Sequence, residues 1–130
     1  MKYFLFIGLA LLLAACGSEE GFTVGNKTTL EVEKIFDAGD VIKGEMVPAK
    51  FTVTNTGSYP LIIADIGVSC SCTVADYTED PIAPGESTEI LAHVNTERTG
   101  TGVVVKELRI TANTDPSVTH VSIRANVKKN

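Results

Sequence analysis

Apolar and polar residues alternate with a strict period of two along the C-terminal part of this chain. Successive side chains of a β-strand point to opposite faces of a sheet, so this alternation predicts strands with one buried and one exposed face. The clearest example spans residues 119–128, where the apolar positions are Val121, Ile123, Ala125 and Val127. From residue 28 onward no segment has a convincing helical period, and the pattern therefore predicts an all-β domain.

Further strands are predicted where residues alternate or are rich in β-branched side chains, at residues 28–36, 48–56, 60–68, 88–95 and 103–112. Clusters of Gly, Pro, Asn and Asp predict turns at residues 37–40, 55–58, 81–86, 99–102 and 113–116. About seven half-buried strands in about 100 residues are typical of two sheets packed face to face. We predict an immunoglobulin-like antiparallel β-sandwich over residues 28–130, with a small closed barrel as the alternative.

The inward phase of the alternation predicts the hydrophobic core. Its predicted members are Phe51, Val53, Ile90, Val94, Leu108, Ile110, Val121, Ile123 and Val127. His93 and His120 fall on the outward phase, so they are predicted as exposed strand residues rather than metal ligands. The acidic residues Asp76, Glu79 and Asp80 lack the spacing of a calcium loop and are predicted to lie in a solvated loop.

The first 15 residues have the layout of a secretory signal peptide, with a basic Lys2, an apolar run and two small alanines. The apolar run is shorter than the roughly 20 residues that span a bilayer. The sequence LAAC at residues 13–16 resembles the lipobox of bacterial lipoproteins. This resemblance implies cleavage before Cys16, which would become the acylated first residue. Residues 16–27 then form a lipidated cysteine and a flexible tether.

A lipid anchor on Cys16 implies attachment to a membrane of the cell envelope. Gly17 follows the cysteine where enterobacterial lipoproteins of the inner membrane have Asp, which favours the outer membrane. Ser18, Glu19 and Glu20 resemble the acidic stretch that directs Bacteroidetes lipoproteins to the cell surface. We therefore predict an outer-membrane lipoprotein that faces either the periplasm or the exterior.

The charge of the mature chain limits its partners. Without Lys2, ten basic residues remain against sixteen acidic ones, so the net charge is near −6. An acidic chain without basic clusters argues against binding to nucleic acid or electrostatic docking to anionic lipid. The predicted contacts are the membrane, through the lipid, and an envelope protein or glycan.

Cys70-Ser71-Cys72 is the element of the sequence that is best able to take part in chemistry. Residues two apart on a strand face the same side, so the two sulfurs are predicted to be neighbours. Three states remain open: a pair of reduced thiols, a labile disulfide, or a thiolate pair on a soft metal ion. In a straight strand the α-carbons would lie about 6.6 Å apart, at the upper limit for a disulfide. We therefore expect that a disulfide here would serve a chemical role and would contribute little to the stability of the fold.

Three motifs together carry a family resemblance: FTVTNTGSYPLII at residues 51–63, SCSCT at residues 69–73 and PIAPGE at residues 81–86. They resemble the bacterial family called domain of unknown function 1573, which is common among Bacteroidetes lipoproteins. That family has the patterns F-x-V/F-x-N-T-G-x-x-P-L, C-G-C-T and P-I-x-P-G, and the match covers roughly residues 34–127. Ser71 replaces the usual glycine between the cysteines. The resemblance implies an immunoglobulin-like module similar to those of Hydin and the major sperm protein group, which act in binding or scaffolding.

Three functions follow as hypotheses. The first is a non-catalytic binding or scaffold module on the envelope, with no cofactor. The second is a metal- or redox-handling lipoprotein that uses Cys70 and Cys72. The third is a hydrolase without a recognisable motif, since the sequence has no nucleophile elbow, zinc-protease signature or phosphate-binding glycine loop. We therefore expect that the protein is not an enzyme.

Overall fold

The computed structural model describes residues 25–130. The predicted signal peptide, Cys16 and most of the predicted tether lie outside the described residues. The strands are β1 (Leu30–Glu31), β2 (Ile35–Ile42), β3 (Met46–Asn55), β4 (Ile63–Val68), β5 (Thr73–Asp76), β6 (Ser87–Asn95), β7 (Gly102–Ala112) and β8 (Val118–Lys128). A short 3-10 turn at Thr96–Arg98 joins β6 to β7.

The strands form two four-stranded sheets. The first has the order β1-β3-β6-β5 and the second the order β2-β8-β7-β4. Their inner faces enclose one hydrophobic core, and all nine core residues predicted from the alternation are buried. The predicted immunoglobulin-like β-sandwich is therefore confirmed.

The pairing of β3 with β6 explains how the alternation builds the core. In β3 the side chains of Val47, Ala49, Phe51 and Val53 are buried while their neighbours face outward. Opposite them, β6 buries Ile90, Ala92 and Val94 in the same register. Because the side-chain period of a strand is two, a one-residue slip in this pairing would turn every one of these side chains to solvent.

The N-terminal part of the sandwich differs from the prediction. Residues 28–36, predicted as one strand, are divided between β1 in the first sheet and β2 in the second, because the chain crosses between the sheets. The predicted turn at residues 37–40 lies inside β2, where a register shift between Asp37 and Asp40 marks a bulge. A bulge also carries turn-forming residues, so composition alone did not distinguish it from a chain reversal.

Strand β2 runs parallel to β8, whereas all other strand pairs are antiparallel. Ion pairs join the two strands on their exposed face, from Arg124 to Asp37 and from Lys128 to Asp40. Hydrogen bonds from Lys128 and Asn126 hold the pKa of the Asp40 carboxyl below its usual value. The bulge residues that resemble a turn in the sequence are therefore held in the sheet by charge and hydrogen bonding.

Within residues 25–130 no helix is long and apolar enough to cross a membrane.

The core predicts a sharp contrast between two truncations in β7. Ile110 is fully buried, whereas Val105 on the same strand is 57% exposed. We expect Ile110→Ala to lower the free energy of unfolding by about 2–5 kcal/mol, because it leaves a cavity. The control Val105→Ala should change it by no more than about 0.5 kcal/mol. Urea denaturation measures both, and equal effects would contradict the assigned register of β7.

Candidate functional site

Asn55 lies at the end of β3 and connects three loops at one end of the sandwich. It is completely buried. Its amide nitrogen donates to the carbonyl oxygens of Tyr59 and Ile82, at 2.7 and 2.8 Å. Its amide oxygen accepts from the Thr28 hydroxyl at 2.7 Å and from the Gly57 N–H at 3.1 Å. The asparagine of the N-T-G motif is therefore a buried structural residue.

The glycine of the same motif is required by close packing. An ideal Cβ on Gly57 would overlap the side-chain oxygen of Thr28 and lie 2.7 Å from the backbone nitrogen of Thr29. Asn and Gly are common in turns because they tolerate positive φ, but neither Asn55 nor Gly57 has a positive φ here. The need for glycine comes instead from a distant segment that passes against it, which spacing along the chain does not reveal.

The P-I-A-P-G loop packs onto the same asparagine. The Asn55 N–H donates to the Glu86 carbonyl, and the Asn55 carbonyl accepts from the Gly85 N–H. Gly85 has φ +82°, a left-handed conformation that favours glycine. Leu61 and Ile82 also form a two-way backbone bridge, at 2.9 and 2.8 Å. Two of the three family motifs thus meet around Asn55 and are structural.

The third motif places Cys70 and Cys72 in a turn. The turn connects β4 of one sheet to β5 of the other, and the Thr73 N–H donates to the Cys70 carbonyl. The two cysteines are joined by a disulfide, with their α-carbons 5.3 Å apart. The straight-strand geometry considered for this pair therefore does not apply, because the turn brings the α-carbons closer than a straight strand would. The short strand β5, Thr73–Asp76, had no clear alternation and was not predicted.

The surroundings of the two sulfurs differ. Cys72 is buried, with 4% of its surface exposed, whereas Cys70 is half-buried. The Cys70 sulfur accepts a hydrogen bond from the Cys72 N–H at 3.2 Å. The Thr73 hydroxyl lies 3.7 Å from the Cys72 sulfur, and Arg98 donates to the Ser71 carbonyl at 3.5 Å. The pair thus has one accessible sulfur, one protected sulfur and a nearby positive charge.

The first half of β7 has an unpaired edge beside this turn, and we call residues 102–106 the open edge. Strand β4 pairs with β7 only over residues 108–112, and no other described strand covers residues 102–106 on that side. The Glu107 carbonyl accepts from the Ser69 N–H, and the Glu107 N–H donates to the Ser69 hydroxyl. Backbone groups two residues apart in a strand point to the same side. The N–H and C=O groups of Val103 and Val105 therefore face the open edge.

The other sheet edges are shorter or protected. Strand β1 has two residues and β5 has four. Strand β2 carries the bulge and the charged residues Asp37 and Asp40, and the Tyr77 hydroxyl donates to the carbonyl of Ala64 in β4. Bulges, short strands and charges are the usual means of preventing a strand from pairing with another chain. The open edge has instead three consecutive valines, of which Val103 and Val105 are 61% and 57% exposed.

The remaining candidates do not come together. His93 faces outward from the first sheet and His120 from the second, so the two histidines lie on opposite faces of the sandwich. His120 contacts Glu107 at 3.1 Å. Asp76, Glu79 and Asp80 are exposed, at the end of β5 and in the loop that follows it. Among residues 25–130 no three His, Cys, Asp or Glu side chains are grouped so that they could hold a metal ion.

The fold and its motif contacts define an immunoglobulin-like module of a family known by its sequence pattern. The family model described as "Protein of unknown function (DUF1573)" matches residues 29–127. The chain belongs to this family, and the resemblance inferred from the three motifs is confirmed. A search of the curated proteins gave no match to this chain.

Solved structures with a similar fold come from distant organisms. A protein of unknown function from Porphyromonas gingivalis W83 is 19% identical with a TM-score of 0.69, over 84% of this chain and 51% of that one. The chain thus spans about half the length of that protein. The VesB protease of Vibrio cholerae is 16% identical with a TM-score of 0.60, over 76% of this chain and 31% of its own. Domain 7 of human CEP192, an ASH/PapD-like domain, is 10% identical with a TM-score of 0.60. The similarity covers 85% of this chain and 93% of that domain. These similarities concern the fold alone.

The contacts of Asn55 predict a large effect of a small substitution. Asn55→Ala removes the donor for two carbonyls and the acceptor for two further groups, so we expect a loss of about 3–5 kcal/mol in the free energy of unfolding. The control is the next residue, Thr56, which is exposed and whose hydroxyl contacts only that of Thr29. Thr56→Ala should change stability by about 0.5 kcal/mol or less. Similar losses in the two variants, measured by urea denaturation, would refute the structural role of Asn55.

Proposed function

We propose that this protein is a lipid-anchored binding module of the outer membrane that pairs the open edge of β7 with an extended segment of an envelope protein. The observation that carries the proposal is that the outward-facing backbone groups of Val103 and Val105 are paired with no strand of residues 25–130. An extended peptide that adds to a sheet edge gains main-chain hydrogen bonds from such groups. The two exposed valine side chains provide apolar contacts on one face of the added strand.

Charge near the open edge favours a partner segment with acidic residues. Arg98 contacts the turn next to the edge, Arg109 lies against Gly67 of β4, and Lys106 belongs to the edge itself. None of these three cations is in an ion pair within residues 25–130. The chain as a whole is acidic, and Glu107 next to this edge is in contact with His120. An acidic or polar extended segment therefore fits this edge better than a basic one.

The position of the first described residues agrees with this role. Thr28, near the start of the described chain, contacts Asn55 and pairs with Thr114, at the end of the sandwich where β7 finishes. Gly102 begins β7, so the open edge starts about 30 Å away, at roughly 3.3 Å per residue. A module anchored through Cys16 would present its open edge on the side away from the membrane.

The anchor itself is tested by removing the acylated residue. Cys16→Ala should prevent lipidation and cleavage, or release the protein from the membrane fraction, because no acyl chain would hold it there. Fractionation of envelopes with immunoblotting measures this, and proteinase treatment of intact cells distinguishes a cell-surface from a periplasmic position. A membrane-bound product of normal mature size from Cys16→Ala would refute lipid anchoring.

The docking edge is tested by removing one backbone donor. Val105→Pro deletes the N–H that faces the open edge, and proline is tolerated where that side of a strand faces solvent. The control Val105→Thr changes the side chain but keeps the N–H. We expect chemical crosslinking in native envelopes to lose its specific product in Val105→Pro and to keep it in Val105→Thr.

Two further measurements make this comparison decisive. Thermal unfolding should remain cooperative in both variants, which excludes loss of folding as the cause. Mass spectrometry of the crosslinked product then identifies the partner segment. Crosslinks from residues 102–106 to an extended segment of another envelope protein support the proposal. Crosslinks that are unchanged in Val105→Pro, or that join two copies of this chain, would contradict it.

A further inference from the structure

The Cys70–Cys72 disulfide joins residues only two positions apart. Closing so short a loop removes little conformational entropy from the unfolded chain, so the bond contributes little to folding by that route. We propose that this disulfide is a thiol–disulfide exchange site, which transfers its bond to the paired thiols of an extended protein segment. This activity goes beyond the proposed binding function.

The turn that carries the cysteines is held by hydrogen bonds that do not involve the disulfide. The Cys72 carbonyl accepts from the Asn95 N–H at 2.8 Å, and the Cys70 carbonyl accepts from the Thr73 N–H at 3.3 Å. The Ser69 N–H donates to the Glu107 carbonyl at 3.0 Å. These bonds fix the turn to β6 and β7 independently of the sulfurs. The two thiols of the reduced protein therefore stay side by side, ready to form the bond again.

The different burial of the sulfurs determines the direction of attack. An incoming thiolate reaches the half-buried Cys70 sulfur, whereas Cys72 is covered. The leaving thiolate then forms on Cys72, where the Thr73 hydroxyl, 3.7 Å away, can donate a hydrogen bond to it. The guanidinium of Arg98 donates to the carbonyl of Ser71, the residue between the two cysteines. Such an environment stabilises a thiolate and so favours exchange.

The reaction proceeds in two balanced steps. A substrate thiolate attacks the Cys70 sulfur, a mixed disulfide forms, and the Cys70–Cys72 bond breaks to leave a thiolate on Cys72. A second substrate thiolate then attacks the substrate sulfur of the mixed disulfide and releases Cys70 as a thiolate. The substrate loses two electrons and gains a disulfide, while the protein gains both electrons and becomes a dithiol. A disulfide-bonded molecule reverses these steps and restores the oxidised protein.

The position of the turn identifies an extended protein segment as the substrate class. Ser69 hydrogen-bonds to Glu107, directly beyond the open edge, so a segment paired with residues 102–106 leads to the Cys70 sulfur. This assignment of substrate rests on the proposed function, whereas the exchange chemistry at Cys70 does not. The two are therefore separable by comparing a small thiol with a protein thiol.

The first experiment uses glutathione and the lipidated protein purified in detergent. We expect reduced glutathione to open the disulfide and oxidised glutathione to restore it, as measured by alkylation and intact mass. The Cys70 thiol left in Cys72→Ser should react with a small aromatic disulfide about ten times faster than the Cys72 thiol left in Cys70→Ser, because it is more accessible. The double variant, in which Cys70→Ser and Cys72→Ser are combined, shows whether Cys16 contributes any thiol. Resistance of the native disulfide to glutathione, or equal rates in the single variants, would overturn the exchange site.

The second experiment uses reduced, unfolded ribonuclease A as a protein dithiol. The oxidised wild-type protein should remove its thiols faster than an equal concentration of oxidised glutathione does, and Cys70→Ser should have no such effect. Val105→Pro should lose the faster reaction with the protein substrate, whereas the control Thr56→Ala, at the other end of the sandwich, should keep it. If the wild-type protein removes the ribonuclease thiols no faster than oxidised glutathione does, the assigned substrate class is overturned. An advantage retained by Val105→Pro would separate the exchange site from the open edge and contradict the role of that edge in substrate docking.

Discussion

The buried side chain of Asn55 is the interaction on which one whole end of the sandwich depends. Its amide group joins the loop after β3, the P-I-A-P-G loop before β6 and the segment that enters β1. These segments meet beside the regular strand ladders, and the amide joins them through four hydrogen bonds. A buried polar network of this kind specifies one arrangement only when all its members are satisfied. Within residues 25–130 no buried side-chain nitrogen or oxygen is left unpaired.

This arrangement separates the two ends of the molecule. The end with Asn55 receives the chain from the N-terminus and contains two of the three family motifs, which are used for packing. The opposite end has the disulfide turn, the first half of β7, whose outer side no strand of residues 25–130 pairs, and Arg98, which donates to Ser71. A sandwich whose one end is fixed and whose other end carries accessible chemistry is well suited to presentation from a tether.

The open edge and the disulfide turn are adjacent because of how β4 ends. Strand β4 reaches only Leu108 of β7, and the chain then turns through the two cysteines to join β5 in the other sheet. Within residues 25–130 this early crossing leaves residues 102–106 without a paired strand on the side away from β8, and it places the turn at the end of the gap. One short strand therefore creates both features, which gives a physical reason to consider binding and exchange together. The family motif around the cysteines thus differs from the other two, because it lies where the sheet is incomplete.

The sequence by itself determined the fold class, the nine core positions and most of the strands, because the period of two follows from local strand geometry. It also drew attention to Cys70 and Cys72. It did not determine that residues 28–36 divide between two sheets, that residues 37–40 form a bulge, or that the cysteines occupy a turn. Nor did it indicate that Gly57 is needed for its contact with Thr28 or that β7 has an open edge. These properties depend on which distant segments meet, and tertiary packing alone decides that, because local patterns describe one strand face and not its neighbour.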